Sequence, residues 1–217
     1  MLVTRLKLKN WRNFRALDVP LREVSYLLGP NASGKSNLLD AFRFLRDVSK
    51  SKGGGLQQAV AGRGGISKLR CLHARTDTEV LIDIELAQSP DDSPQWRYVL
   101  GFKPEGKGAQ RILISTEEVW KDGQRLFTRP DKNDKADPMR LTQTRLEQIA
   151  ANASFRDLAD FFGATTYLHL VPQLLKFAEK MGGIAWRMTL LDRAFWSALQ
   201  KPPTKHARPG STRSVRL

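Results

Sequence analysis

The sequence predicts an α/β fold, and three observations carry that expectation. A strand, a glycine-rich turn and an amphipathic helix follow one another over residues 24–48. A block of alternating strands fills residues 78–128, and helical patterns take over from residue 139. With 217 residues, 41% of them hydrophobic, the chain is long enough for one sizeable core.

Taken in order, Val3 to Leu8 alternates, with Val3, Arg5 and Lys7 on one side and Thr4, Leu6 and Leu8 on the other, as a strand does. "RALDVPL" (15–21) reads as a second strand and "EVSYLL" (23–28) as a third, more apolar one. Gly29 to Ser33 is a turn. From Lys35 to about Val48, apolar residues at Leu38, Leu39, Phe42, Leu45 and Val48 mark a helix that "SKGGG" (51–55) ends; "AGRGGIS" (61–67) is a loop. Strands follow in "TEVLIDIELA" (78–87), "QWRYVLGF" (95–102) and "RILISTEEVW" (111–120). Asp122-Gly123 between two alternating runs signals a tight hairpin. "RPDKNDKADP" (129–138), balanced in charge, reads as a solvated loop. "MRLTQTRLEQIAANA" (139–153) and "SFRDLADFFG" (154–163) read as helices, the second with Ser154 and Asp157 at capping-box spacing and Gly163 as its stop. "TTYLHLV" (165–171) reads as a strand.

The formal charge is +14, a sign that favours polyanionic partners. Its distribution qualifies that. Residues 184–217 hold seven Lys/Arg against Asp192 alone, so +6 lies there and +8 in residues 1–183. Much of the basicity belongs to that last segment, which weakens it as a sign of a nucleic-acid-binding face. No apolar run reaches the ~18 residues that a membrane span needs, and "MLVTRLKLKNWRNF" lacks the apolar block of a signal peptide. The single cysteine, Cys71, allows no internal disulfide. A cytoplasmic chain without a membrane partner is expected.

Gly29-Pro30-Asn31-Ala32-Ser33-Gly34-Lys35-Ser36 matches G-x-x-x-x-G-K-[ST] at every fixed position. Glycines let such a loop curl so that successive N–H groups face a β-phosphate, and the following helix adds its dipole. Lys35 would reach the β- and γ-phosphates, and the Ser36 hydroxyl would ligate Mg²⁺. Random composition produces this pattern in roughly one chain of this length in a hundred, and here a strand precedes it and a helix follows.

"LKLKNWRNF", a spacer, then "LLGPNASGKSNLLDAFRFL" resembles the RecF/SMC/OLD branch of ABC-type ATPases, AAA-type ATPase core domains in which antiparallel strands precede the phosphate loop and Asn follows its Ser, as Asn37 does here. "GGISKLR" (64–70) and "YLHLVPQLL" (167–175) also look like family segments, so the resemblance covers roughly residues 1–183. It implies the N-terminal lobe of an ABC-type P-loop NTPase, with ATP and Mg²⁺ held by Gly29–Asn37. It also implies Arg12 and Asn13 near the base or phosphates, and Gln173 as the Q-loop glutamine that senses Mg²⁺. In the intact family ATP closes a head-to-tail homodimer, often in service of DNA or RNA transactions or phage defence.

Hydrolysis in that family also needs an apolar run ending in Asp-Glu and a Ser-Gly-rich signature from a second protomer. "VLIDIEL" offers Asp83 and Glu85, which alternate on one strand face, and neither "GGGLQQ" nor "GRGGIS" is a signature. His73 and His169 read as strand or loop residues without a catalytic role. The family's continuation, Asp-Pro-(Phe/Tyr)-Gly-x-x-Phe-Leu-Glu-Arg, is absent in this frame. Codon degeneracy nevertheless allows it, in the neighbouring frame, from the codons for Gly183 through Ala198. The expectation is therefore a lobe over 1–183 and a basic, out-of-frame or disordered tail over 184–217, with little or no hydrolysis by the chain alone. Two other readings stay open: a basic nucleic-acid-binding module, and a small P-loop kinase or GTPase.

Overall fold

Alternating apolar and polar residues build a six-stranded, wholly antiparallel sheet in the order β2-β1-β4-β5-β6-β7. Its strands are β1 (Leu2–Trp11), β2 (Phe14–Pro20), β4 (Val80–Ala87), β5 (Trp96–Pro104), β6 (Ile112–Lys121) and β7 (Gln124–Arg129). The computed structural model describes residues 1–74, 77–106, 111–168 and 215–216. Residues 1–165 with 212–217 form one unit. Residues 166–211 form a second, of which 166–168 are described and have no regular secondary structure.

One sheet face is apolar: Leu6, Leu8, Ile82, Ile84, Tyr98, Leu100, Phe102, Ile114 and Val119 are buried. Against it pack α1 (Lys35–Ser49), α2 (Leu56–Ala61) and α5 (Arg156–Gly163). The opposite face is charged and internally neutralised. Asp83 takes a bidentate fork from Arg97 at 2.8–2.9 Å, with Lys7 at 3.9 Å, and Lys9 pairs with Asp77 and Glu79. Asp83 and Glu85 are thus sheet-face residues, with Asp83 committed to an ion pair. The Asp122-Gly123 hairpin forms as expected. Its residues have φ +48° and +77°, and Lys121 pairs with Gln124.

Several expectations are corrected. The third strand shrinks to β3 (Leu27–Leu28), which pairs in parallel only with β8 (Val215–Arg216) among the described residues, while Val24 and Tyr26 are exposed. A strand extends only as far as it has a ladder to join, however apolar it is. The buried stripe of α1 is Leu38, Ala41, Phe44, Leu45 and Val48, with Leu39 40% exposed, because Phe44 rather than Phe42 meets the sheet. Ser154 is not a cap: a 3₁₀ turn, Ala153–Phe155, precedes α5, whose N-cap Phe155 makes no side-chain bond. In "TTYLHLV", residues 165–168 form no strand; the rest of it, His169, Gln173 and the tail to residue 214 lie outside the described residues.

The segment 129–153 departs most. It forms no long helix, but α4 (Lys132–Ala136), a 3₁₀ turn (Pro138–Thr142) and irregular turns; residues 129–138 are mostly exposed, as a solvated stretch is, but Arg129 and Asp134 are buried. Two buried carboxylates cause this. Glu117, fully buried, accepts from Tyr98 Oη, Arg129 Nη1 and the backbone N–H groups of Arg145 and Leu146. Asp134 takes the other face of Arg129 at 2.9 Å. Burial opposes its ionisation, but Arg129, the Asp131 N–H and Arg140 hold its carboxyl well below the usual range. Amides bonded to Glu117 are lost to an α-helical ladder, and an unpaired buried ion would cost several kcal/mol.

Glu147 clips this segment to α2, accepting from Thr144 N at 2.6 Å and Leu56 N at 3.0 Å. Its carboxylate lies where a Cβ on Gly55 (φ +91°) would stand, so position 55 is confined to glycine. Burial, against the two amides and with the charge of Glu117, pushes Glu147 from 4.5 up to about 7. Between those values the folded chain binds the proton more tightly than the unfolded one. Stability therefore falls as pH rises from about 4.5 to about 7 and levels off above. Urea midpoints between pH 5 and pH 8 should show this fall in the parent. In Glu147→Gln, less stable overall because one acceptor oxygen is gone, the fall should shrink, what remains coming from Glu117, whose carboxyl burial also pushes up.

Candidate functional site

The glycine-rich turn bridges β3 and α1. Within it Ser33 N donates to Pro30 O at 3.3 Å, and Ala32 adopts φ +64°, a left-handed conformation costly for a residue with a Cβ. Gly34, at φ +104°, is the N-cap of α1; the helix has no side-chain cap bond and no acidic residue in its first turn. The first-turn N–H groups have no intrahelical acceptor, so this end of the 15-residue helix favours an anion. Lys35 Nζ lies over the loop, donating to Gly29 O (2.8 Å), Pro30 O (2.7 Å) and Ser33 Oγ (3.4 Å). Ser36 is exposed beside it.

Phosphates fit this donor set: a lysine ammonium, uncapped helix amides and no competing carboxylate. For Mg²⁺ the described site offers the Ser36 hydroxyl, and among the described residues no group of three or more His, Cys, Asp or Glu gathers to hold a metal. No helix among them is long and apolar enough to cross a membrane.

The turn between β1 and β2 lies against this loop. Asn37 Nδ2 donates to Asn13 Oδ1 at 2.8 Å, and Asn13 Nδ2 donates to Ser33 O at 3.4 Å. Arg12 is placed otherwise: Nη2 donates to Asp40 Oδ2 at 2.9 Å and Nη1 to Lys68 O at 3.2 Å, tying it to the second turn of α1 and to α3 (Ile66–Leu69). Gly29–Asn37 and Asn13 thus gather at one place, and Arg12 stands one helical turn away. His73 lies in a turn.

Three residues that sequence reasoning passed over complete the arrangement. Buried Trp11 donates Nε1 to Asn37 O at 2.7 Å. Asp40 accepts from Arg12 and from Arg63 Nε, the latter at 3.1 Å, and Arg63 Nη1 lies 3.1 Å from Asp47 Oδ2. The signal for Asp40 was its helical spacing of one turn from Ser36; Trp11 and Arg63 carry none without the fold.

The β1–β2 turn, the Gly29–Ser36 loop and the N-terminus of α1 thus come together at one place, in a chain whose loop matches the phosphate-loop pattern. The chain belongs to the family described as "AAA domain, putative AbiEii toxin, Type IV TA system", which matches residues 24–198. Among curated relatives, the DNA replication and repair protein RecF of Roseiflexus castenholzii is 30% identical over 100 residues, 42% of this chain and 25% of that protein. RecF of Brucella abortus is 36% identical over 88 residues, 39% and 22% respectively. The chain thus spans about a quarter of the length of these relatives. Among solved structures, the recombination mediator RecF with ATP aligns over 58% of this chain and 28% of its own at 21% identity and TM-score 0.36. A structure described by ATP-driven dimerization and DNA-stimulated activation of SMC ATPases aligns over 88% and 98% at 18% and 0.42.

Gly34 gives a direct test of the loop. A Cβ there would stand 2.5 Å from Asn13 Nδ2 and 2.7 Å from Phe14 Cζ, at a φ that disfavours side chains. Gly34→Ala should lower unfolding free energy by about 1–2 kcal/mol in urea titrations, more than Gly123→Ala, where a Cβ meets nothing within 4 Å.

Proposed function

We propose that this chain is the ATP-binding lobe of an ABC-type ATPase of the RecF/SMC/OLD branch, the lobe being residues 1–183. The observation that carries the reading is the Gly29–Ser36 loop over the uncapped, acid-free N-terminus of α1, with Lys35 Nζ gathered at its centre. In this reading the loop amides and the first turn of α1 take the β-phosphate. Lys35 exchanges its carbonyl partners for phosphate oxygens, a charge-assisted and stronger pairing. Ser36 holds the metal, whose contribution when bound is to neutralise charge on the phosphates; Gln173 is a further metal-sensing candidate.

Hydrolysis asks for more: a carboxylate to orient the attacking water and donors that clamp the transferring phosphoryl group. Asp83 and Glu85, the acids of the apolar run "VLIDIEL", sit on the sheet's charged face, with Asp83 engaged by Arg97, and buried Glu117 is taken up by Arg129 and backbone amides. The chain alone therefore binds ATP and turns it over little. Closure of a homodimer by ATP, and DNA or RNA as the polymer the assembly works on, belong to the same reading. Location in the cytoplasm does too.

Binding of a fluorescent ATP analogue with Mg²⁺ to the full chain, beside Lys35→Ala, tests the proposal. A fall in affinity of about tenfold or more in the variant, with turnover near background in both, is the expected result. Robust, Lys35-dependent turnover or phosphoryl transfer would instead favour a kinase or GTPase.

A further inference from the structure

We infer that Asn13 is a positioning residue for the phosphate loop, acting through Ser33 and Asn37 rather than by touching the nucleotide. The inference rests on the ATP-binding reading of that loop. Asn13 projects from a turn whose shape is held on both sides. Asn10 and Arg12 both adopt φ +54°, conformations that need outside support. Asn10 finds it in a 2.8 Å bond from Nδ2 to Glu79 O. Arg12 finds it in bonds from its N–H to Leu69 O (2.6 Å) and from its guanidinium to Asp40 and Lys68 O. Between them Trp11 grips Asn37 O from beneath.

So anchored, the Asn13 amide spans Gly34. Its oxygen accepts from Asn37 on the helix and its nitrogen donates to the Ser33 carbonyl on the loop. The absence of a Cβ at Gly34 is what lets the amide lie there. In a trans peptide the carbonyl and the following N–H point in opposite directions. A Ser33 carbonyl drawn toward Asn13 therefore turns the Gly34 N–H away from Asn13, fixing the orientation of one of the amides that a phosphate would use. Both ends of the Asn13 amide are occupied by protein, so its effect on a nucleotide passes through those two partners.

A double-mutant cycle on the full chain tests this, reading the affinity for a fluorescent ATP analogue with Mg²⁺ in Asn13→Ala, Asn37→Ala and the pair. Each single change should weaken binding about 3- to 10-fold with the urea midpoint little altered. The double variant should be no weaker than the weaker single one, since the two side chains act as a unit. Losses that multiply would mean that Asn13 contacts the nucleotide on its own, and would overturn the inference. Unchanged affinity in Asn13→Ala, or a loss matched by an equal loss of folding stability, would do the same. A parent chain that binds no ATP would remove the phosphate-loop reading itself, whereas a parent that binds beside an unaffected Asn13→Ala removes only this inference.

Discussion

Phe44 sits midway along α1, stacked on Phe102 of β5 at 5.3 Å between ring centroids and edge-on to Trp11 of β1 at 5.2 Å. This one packing contact sets the direction of the helix against the sheet, and the direction sets everything at its N-terminus. Removing an aromatic side chain from such a place costs about 3–5 kcal/mol, a large share of a small domain's stability. The same Trp11 that holds Phe44 also hydrogen-bonds Asn37. Core packing and loop position thus share a residue, and a shift in one is a shift in the other.

Charge is organised differently on the two sides of the molecule. The outer sheet face closes its ion pairs within itself, so it offers little field to a polyanion. Between Lys35 and Ala74, in contrast, eight Lys/Arg stand against Asp40 and Asp47 alone. Arg12, Arg46, Lys50 and Arg63 converge on those two acids. An excess of cations around shared carboxylates leaves α1 and its neighbours net positive, which suits a helix whose N-terminus is read as an anion site.

What was legible in the sequence was local. The turn at Gly29–Gly34 and the helix after it follow from one contiguous stretch. The Asp122-Gly123 hairpin follows from two adjacent residues that tolerate positive φ. The strands that pair with sequence neighbours were placed well for the same reason. What failed depended on distant partners. The helical pattern over 139–153 gave way because Glu117, more than twenty residues upstream, takes the backbone amides of Arg145 and Leu146. The balanced loop at 129–138 concealed a buried Arg129–Asp134 pair. Phe42 and Phe44 both fit a helical face, and only the position of Phe102 and Trp11 decides which one is inside.

The loop is held unequally at its two ends. Its C-terminal end is clamped by Trp11 and Asn13, which are fixed in turn by the sheet and by α3. Its N-terminal end leaves β3, a strand with two paired residues, and Leu28 beside it is 57% exposed. Lys35 bridges the two by donating to Gly29 and Pro30 carbonyls on exposed backbone. Those carbonyls lose little when the ammonium leaves, since water can replace it, whereas a phosphate gains a charge-assisted partner. In the ATP-binding reading proposed above, the clamped end would supply orientation before a ligand arrives, and the more exposed end would leave room for Lys35 to turn toward it. In the proposed reading an anion site uses both, because donors fixed in advance cost no reorganisation on binding while an ammonium on a four-carbon stem can follow the charge.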